Sequence, residues 1–413
     1  MKRFLILLAF LPILFPALTW GGETRSLIEL DRKVLSKVKR AVRRGNAEYV
    51  PAYRQLIADA DKLLSEGPYS VVTKKQVPPS GDKRDYVSQG TYWWPNPKKP
   101  DGLPYVRRDG LTNPEIYDYP DSRNLDTMSR SVYKLGLAYY FSGEEKYASH
   151  AARLLRVWFL DEETRMNPNL NFGQRVPGVC EGRGTGLIDT RTFAEMLDAV
   201  VLIGSSKAWS KADDDGLKAW FKEFTDWMLT SPNGKQEARQ HNNHGTYYDL
   251  QIVAYSIFAG QTELAKKQLQ EVTLRRLDSQ LAPDGEQPYE MARTLPWAYC
   301  SMNLMGFLEL ALAGEKIGVD LWDYETPDGA SIRKAIEWFF PFLSGEKPWP
   351  KPEVTGQRNA KYLAAVLMMG SRYDPAGYKE QFDRMISFTG DDFDLETSLL
   401  KLTYPMLKSR RRK

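Results

Sequence analysis

Cysteine and histidine are both scarce in this 413-residue chain, with two cysteines, Cys180 and Cys300, and three histidines. No C-x-x-C pair or Cys/His cluster offers a structural zinc site, and two cysteines cannot build a disulfide framework. A single bond between them and two separate thiols both stay open. Excess charge is lacking too. Lysine and arginine number 57 against 53 acids, a net charge of +4. Such balance makes no case for duplex nucleic acid as a partner, and the basic end, residues 409–413, reads as a solvated tail. Low-complexity linkers and a clean repeat unit are missing as well and strand-like alternation is scarce, which argues against an open solenoid or a sheet-dominated fold. One long apolar run exists, from Phe4 to about Leu18 behind Met1-Lys2-Arg3. It is too short and too near the terminus to favour a membrane span, and it reads as a secretory leader. Residues 1–22 are therefore expected to be removed, leaving 23–413 as an exported chain, periplasmic or secreted, without a membrane span.

What the chain has in plenty is helical period and aromatic surface. Leu125, Met128, Val132, Leu135 and Tyr139 recur at helical spacing, as do Leu154, Leu155, Trp158 and Phe159. Similar patterns cover 25–43, 123–142, 144–159, 242–259, 261–280, 297–314 and 329–343, among roughly thirteen in all. Gly143 and Gly260 mark short helix-to-helix turns. Consecutive hairpins of this kind predict an all-α fold, an α/α toroid of about six to seven helical hairpins forming one domain over 23–413. Inner helices would ring a cleft and outer ones would cover them. Three segments, 68–121, 161–187 and 281–296, break the rhythm and are expected to line that cleft. The 11 Trp, 22 Tyr and 17 Phe suit sugar-stacking platforms as well as a large core.

The densest polar constellation is Asn242-Asn243-His244-Gly245-Thr246-Tyr247-Tyr248, at an expected loop-to-helix junction. At helical spacing His244, Tyr248 and Gln251 share one face, which suggests a cleft wall. The plainer reading is a polar network that stabilises a helix start.

Asn242-Asn243-His244, followed by Arg293 and Tyr299, resembles the catalytic pattern of the alginate lyase family, whose members have an α/α-toroid fold. Gly90-Thr91-Tyr92-Trp93-Trp94-Pro95-Asn96-Pro97, Met166-Asn167-Pro168-Asn169-Leu170 and Pro283-Asp284-Gly285-Glu286-Gln287-Pro288 extend the likeness over about residues 80–345. Some members continue Asn-Asn-His with Ser-Tyr-Trp, whereas here Gly245-Thr246-Tyr247 follows. The resemblance implies a polysaccharide lyase acting on alginate or a related polyuronate such as glucuronan, with mannuronate linkages the leading expectation and Asn243, His244, Arg293 and Tyr299 catalytic. It implies no cofactor.

The chemistry of β-elimination accounts for these residue types. The C5 proton of a uronate is weakly acidic until its carboxylate is neutralised and the developing enolate charge is stabilised. Asn243 can donate through its amide and His244 through its ring, at a helix N-terminus that itself favours negative charge. Arg293 could pair with the carboxylate, favour the phenolate of a nearby tyrosine, or only pair with Glu286 or Glu290 in its own loop. Tyr299 would take the C5 proton and return it to the leaving oxygen in a syn elimination. In an anti elimination, as from guluronate, His244 could be the base.

Candidate substrate-binding residues are Tyr92, Trp93 and Trp94, as stacking platforms, as a lid or as a packed turn. Asn124 on an inner helix, Gln174 and Arg175, and Asn242 and Tyr248 beside the motif complete the set. Arg107, Arg108 and Arg183 could meet neighbouring carboxylates or simply face solvent. A glycoside hydrolase remains a rival, since Glu237, Asp249, Asp284 and Glu290 could supply its carboxylate pair. So does a non-catalytic glycan-binding protein. His241 and His244 lack an evident third metal ligand.

Overall fold

Helical stripes of apolar residues have to be covered on their core side, and a closed ring covers every one of them without leaving an end. The computed structural model describes residues 26–356, 361–389 and 394–406. The leader and the basic tail lie outside the described residues. The helices in chain order are α1 (Arg32–Arg43), α2 (Val50–Leu63), α3 (Pro120–Ser142), α4 (Glu145–Leu155), α5 (Phe193–Ile203) and α6 (Lys211–Thr230). There follow α7 (Pro232–Ala238), α8 (Asn243–Phe258), α9 (Thr262–Lys267), α10 (Leu274–Gln280), α11 (Pro288–Met291) and α12 (Pro296–Ile317). The last five are α13 (Ile332–Glu337), α14 (Phe340–Leu343), α15 (Lys361–Gly370), α16 (Pro375–Thr389) and α17 (Asp394–Thr403).

Helices α3, α5, α8, α12, α15 and α17 pack one on the next, then α17 meets α2 and α2 meets α3, which closes an α/α toroid. Outside it, α4 covers α3, α6 and α9 cover α8, and α16 covers α15. Local chemistry sets the boundaries. Gly143, at φ 82°, stops α3 in the left-handed region. Ser210 and Asp213 form a capping box that opens α6. The pattern over 261–280 is one helical run with a π-turn, Gln268–Thr273, between α9 and α10. Over 329–343 the run divides into α13 and α14, with Pro341 in the first turn of α14.

Strands are few and short. β1 (Val87–Gln89) pairs in parallel with β4 (Phe172–Arg175), and β2 (Trp93–Trp94) pairs antiparallel with β3 (Val106–Arg107). All four lie in the segments that interrupt the helical rhythm. Between α4, α5, α6 and α8 an aromatic cluster fills the wall, with Phe159 and Trp220 edge to face at 4.7 Å and Phe221 and Tyr255 at 4.9 Å. Cys180 and Cys300 are separate thiols. Among the described residues no helix is long and apolar enough to cross a membrane.

The chain's first described turn is pinned to the ring by one buried carboxylate. Asp198 accepts from the backbone N–H of Ile28 at 2.5 Å, Glu29 at 3.1 Å and Leu30 at 2.9 Å. This places Glu29 at a cavity of about 160 Å³ on the ring axis, together with Glu195 and Glu309. Glu29 Oε1 and Glu309 Oε2 are buried there without hydrogen-bond partners. Burial pushes the Glu29 carboxyl well up, and the charge of Glu309 adds to it. Burial raises Glu309 in the same way, helped by Glu195.

These two acids keep their protons in the fold at pH values where the unfolded chain ionises. Their contribution to stability should therefore be greatest below about 4.5, the ordinary glutamate value, and should be lost as pH rises toward the folded values. Denaturant unfolding across a pH series checks this. Glu29→Gln and Glu309→Gln should each flatten the slope by up to about 1.4 kcal/mol per pH unit. An unchanged slope in both variants would assign the pH dependence elsewhere.

Candidate active site

The Asn-Asn-His segment is a helix start. Asn242 is the N-cap of α8, and its side-chain oxygen accepts from His244 N–H at 3.3 Å. Asn243 and His244 therefore occupy the first turn, at the positive end of the helix. Gly245 is required by what runs past it. An added Cβ would sit 2.0 Å from Arg276 Nη1 and 2.3 Å from the Gln240 carbonyl oxygen. Arg276 is itself locked on the buried Asp249 carboxylate at 2.8 and 2.9 Å. The guanidinium fills the space a serine side chain would need at position 245.

Two short helices, α7 and α11, back this turn with buried glutamates. Glu237 on α7 places Oε1 2.6 Å from His244 Nδ1. A carboxylate only accepts, so Nδ1 is the donor and Nε2 is left for other partners. Glu290 on α11 accepts from Asn243 Nδ2 at 2.8 Å and also from its backbone N–H. Glu290 is 1% exposed. Burial raises its carboxyl, while the Asn243 bonds and the charges of Arg293 and His244 pull it back.

The second wall is the start of α12. Arg293 precedes it and Tyr299 stands in its first turn. The Arg293 guanidinium carbon lies 3.9 Å from the centre of the Tyr299 ring. The Tyr299 hydroxyl is 2.6 Å from that of Tyr92. Burial pushes the Tyr299 phenol far up, Tyr92 adds to the push, and Arg293 opposes it. Glu290 thus bonds Asn243 directly and sits within electrostatic reach of His244 and Arg293, and Arg293 in turn covers Tyr299. The four residues expected from sequence form one connected group.

Arg293 pairs with neither Glu286 nor Glu290. Its fork closes on Asp109, with Nε at 3.1 Å and Nη2 at 2.9 Å from the two carboxylate oxygens. Thr294 Oγ1 donates to the same carboxylate at 3.0 Å, and Arg107 pairs with it at 2.6 Å. Gly110, at φ 77°, lets this loop lie flat on the turn before α12, since a Cβ there would be 2.6 Å from Thr294 Oγ1. Sequence reasoning missed Asp109, because 184 positions separate it from Arg293 and no local period marks it. It also missed α7 and α11, although proline follows Ser231 and Gln287 at the position that opens a helix.

Trp93 and Trp94 are half-buried, each with an arginine over its ring: Arg183 at 5.5 Å and Arg108 at 5.2 Å. Gln174 has φ 48°, an unusual value for a residue with a side chain. Its side chain is held between Arg183 Nη2 at 2.9 Å and Asp189 at 3.0 Å. Arg175 donates to the Tyr119 hydroxyl at 2.6 Å and lines a groove of about 710 Å³ with Tyr105 and Glu115, which none of the four candidate catalytic residues lines. Asn124 is half-buried near the start of α3.

Two expectations are corrected. Tyr248 is 3% exposed and its hydroxyl donates to the Met228 carbonyl at 3.1 Å. Gln251 accepts from Thr190 at 2.6 Å and from Tyr255 at 3.1 Å. Their stripe does not line the cleft, because both side chains are buried in the wall and bonded toward α6 and the segment before α5. Asn242 is half-buried and its side-chain oxygen caps α8. His241 is exposed, with its ring 4.5 Å from that of Tyr289. Among the described residues no group of three or more His, Cys, Asp or Glu side chains is placed to hold a metal ion.

The sequence profile of a family described as alginate lyase matches residues 70–349. The chain is similar to an alginate lyase from Bacteroides ovatus of known crystal structure, at 39% identity over 92% of this chain and 99% of that one, with a TM-score of 0.84. It also shares a fold with alginate lyase A1-III from Sphingomonas species A1, at 16% identity over 93% of this chain and 99% of that one, with a TM-score of 0.59. No functionally curated protein matches it.

Glu290→Ala should leave the buried N–H groups of Asn243 without an acceptor and cost about 1–3 kcal/mol. Tyr92→Phe removes one hydroxyl pair at the cleft and should cost about 1 kcal/mol or less. Thermal unfolding of both variants checks the ranking, and the opposite order would mean that Glu290 does not organise the α8 turn.

Proposed function

The chain belongs to the alginate lyase family and is a polysaccharide lyase of uronate polymers, and from that premise we propose that it cleaves 1,4-linked alginate by β-elimination, mannuronate linkages foremost. Asn243 and His244, at the N-terminus of α8, neutralise the carboxylate on C5. Tyr299 takes the C5 proton and returns it to the leaving O4 on the same face. On guluronate, where the groups lie on opposite faces, His244 Nε2 is the base and Tyr299 the acid. Glucuronan is the alternative substrate.

The observation that carries this reading is the Arg293 guanidinium 3.9 Å from the centre of the Tyr299 ring, within electrostatic reach of Glu290, which holds the Asn243 turn. A buried phenol resists ionisation, and a guanidinium against its face is the means of offsetting that resistance. The hydrolase rival needs two open, facing carboxylates. Glu237 and Glu290 are tied to His244 and Asn243, Asp249 is closed by Arg276, and Asp284 sits in an exposed turn. Tyr92, Trp93 and Trp94 close over the bound sugar, with Gln174 and Asn124 toward neighbouring units and Arg175 further out. Residues 23–413 act as one exported catalytic domain once the leader 1–22 is removed, which N-terminal sequencing of the secreted protein checks.

Tyr299→Phe keeps the ring and deletes only the hydroxyl. Its turnover should fall by about 10²–10⁴-fold with substrate binding nearly intact. His244→Ala should lose turnover and also bind more weakly, because a carboxylate partner goes. The measurement is the ultraviolet absorbance of the C4=C5 double bond on poly-mannuronate, poly-guluronate and glucuronan, with binding followed separately. Wild-type turnover by Tyr299→Phe on every cleaved polymer would refute the tyrosine mechanism. Cleavage without the unsaturated product would restore the hydrolase.

A further inference from the structure

Arg293 had two possible duties: to bind the substrate carboxylate or to act on a tyrosine. Its surroundings decide between them. The guanidinium has five N–H donors, and the two of its forked Nε–Nη2 edge are closed on Asp109. Asp109 is not a casual surface partner. Its two oxygens accept from Arg293, Arg107 and Thr294, and the side chains of Asp109 and Arg293 are only 20% and 14% exposed. Against the effect of burial, the Arg293 fork and Arg107 hold the Asp109 carboxyl well below the usual range. Asp109 in turn helps hold Arg293 firmly charged.

The loop geometry makes the arrangement specific. Tyr92 immediately precedes β2 and Asp109 closely follows β3, so the hairpin brings both to its open end, where Arg108 N–H donates to the Tyr92 carbonyl at 2.7 Å. One residue of that end meets the Tyr299 hydroxyl and the other meets the arginine covering the Tyr299 ring.

We propose that Asp109 is a positioning residue, which occupies the Arg293 fork so that the guanidinium is held against Tyr299 and kept from taking the substrate carboxylate. Carboxylate neutralisation then falls to Asn243 and His244, and Arg293 serves the proton-transfer step. This rests on the lyase reading above. The groups that bear on Tyr299 are Tyr92, Arg293 and Asp109, and those on Arg293 are Asp109, Tyr299 and Glu290. Without Asp109 the guanidinium leaves the ring, and Tyr299 loses the one neighbour among these that pulls it downward.

The test compares wild type, Asp109→Ala and the isosteric Asp109→Asn on a polymer the wild type cleaves, each verified as folded by thermal unfolding. For Asp109→Ala, kcat should fall about 10–100-fold, on the scale of a misplaced catalytic group, with KM little changed. The kcat–pH limb assigned to Tyr299 should move to higher pH. Asp109→Asn should move both in the same direction by less. In an Arg293→Lys background, which cannot close a fork, Asp109→Ala should add little further loss. A lower KM with kcat preserved would overturn the proposal and give Arg293 to the substrate carboxylate. A loss that leaves the pH limb unmoved and adds fully to Arg293→Lys would reduce Asp109 to a structural residue. Absence of unsaturated product from the wild type itself would instead refute the lyase reading.

Discussion

A site built to hold a carboxylate must keep its donors in place when no carboxylate is bound. Unpaired buried donors are costly and mobile ones lose their aim. Here the two donors of the α8 turn have resident acids, Glu290 for Asn243 and Glu237 for His244, and a third acid, Asp109, occupies the fork of Arg293 beside them. Two of the acids are buried against the α8 turn and fix the amide and the imidazole there. The third arrives on a loop from a distant part of the chain. The fold exists, in this sense, to bring three acids and three donors to one place.

The toroid does so by dividing labour. Its inner helices supply starting turns, α8 and α12, whose first residues carry the candidate chemistry. The outer helices supply coverage. The short helices and β-ribbons between them, α7, α11 and β2–β3, supply the acids. Regular elements set the frame, and the irregular segments finish the site.

That division explains what could be read in advance. Helices of the frame announce themselves by period, caps and prolines, so the all-helical ring, the α8 start and the α3 stop at Gly143 were all legible. Asn243, His244, Arg293 and Tyr299 were singled out by their resemblance to the family's pattern. The role of the acids that hold them was not legible: Glu237 and Glu290 stood as a possible hydrolase pair, and Asp109 did not stand out. Glu237 and Glu290 sit on helices of seven and four residues, too short to show a period, and Asp109 is joined to Arg293 only by tertiary folding. The Tyr248–Gln251 stripe misled for a related reason. An inner helix of a ring has one side toward the cleft and others packed into the wall, and spacing along the helix does not say which side a polar stripe occupies. Its polar groups answer Met228, Thr190 and Tyr255 instead.

The ring is closed where α17 meets α2, and these helices come from opposite ends of the described chain. A polypeptide made from its N-terminus can form each hairpin as it emerges, yet the face of α2 that receives α17 stays bare until residues 394–403 have been synthesised. The last described helix thus completes the contact begun by one of the first. Nascent chains must be kept from joining one another through that uncovered surface in the meantime. A chain cut short near its C-terminus is an opened ring with an apolar edge, and its natural fate is aggregation or proteolysis more than partial activity.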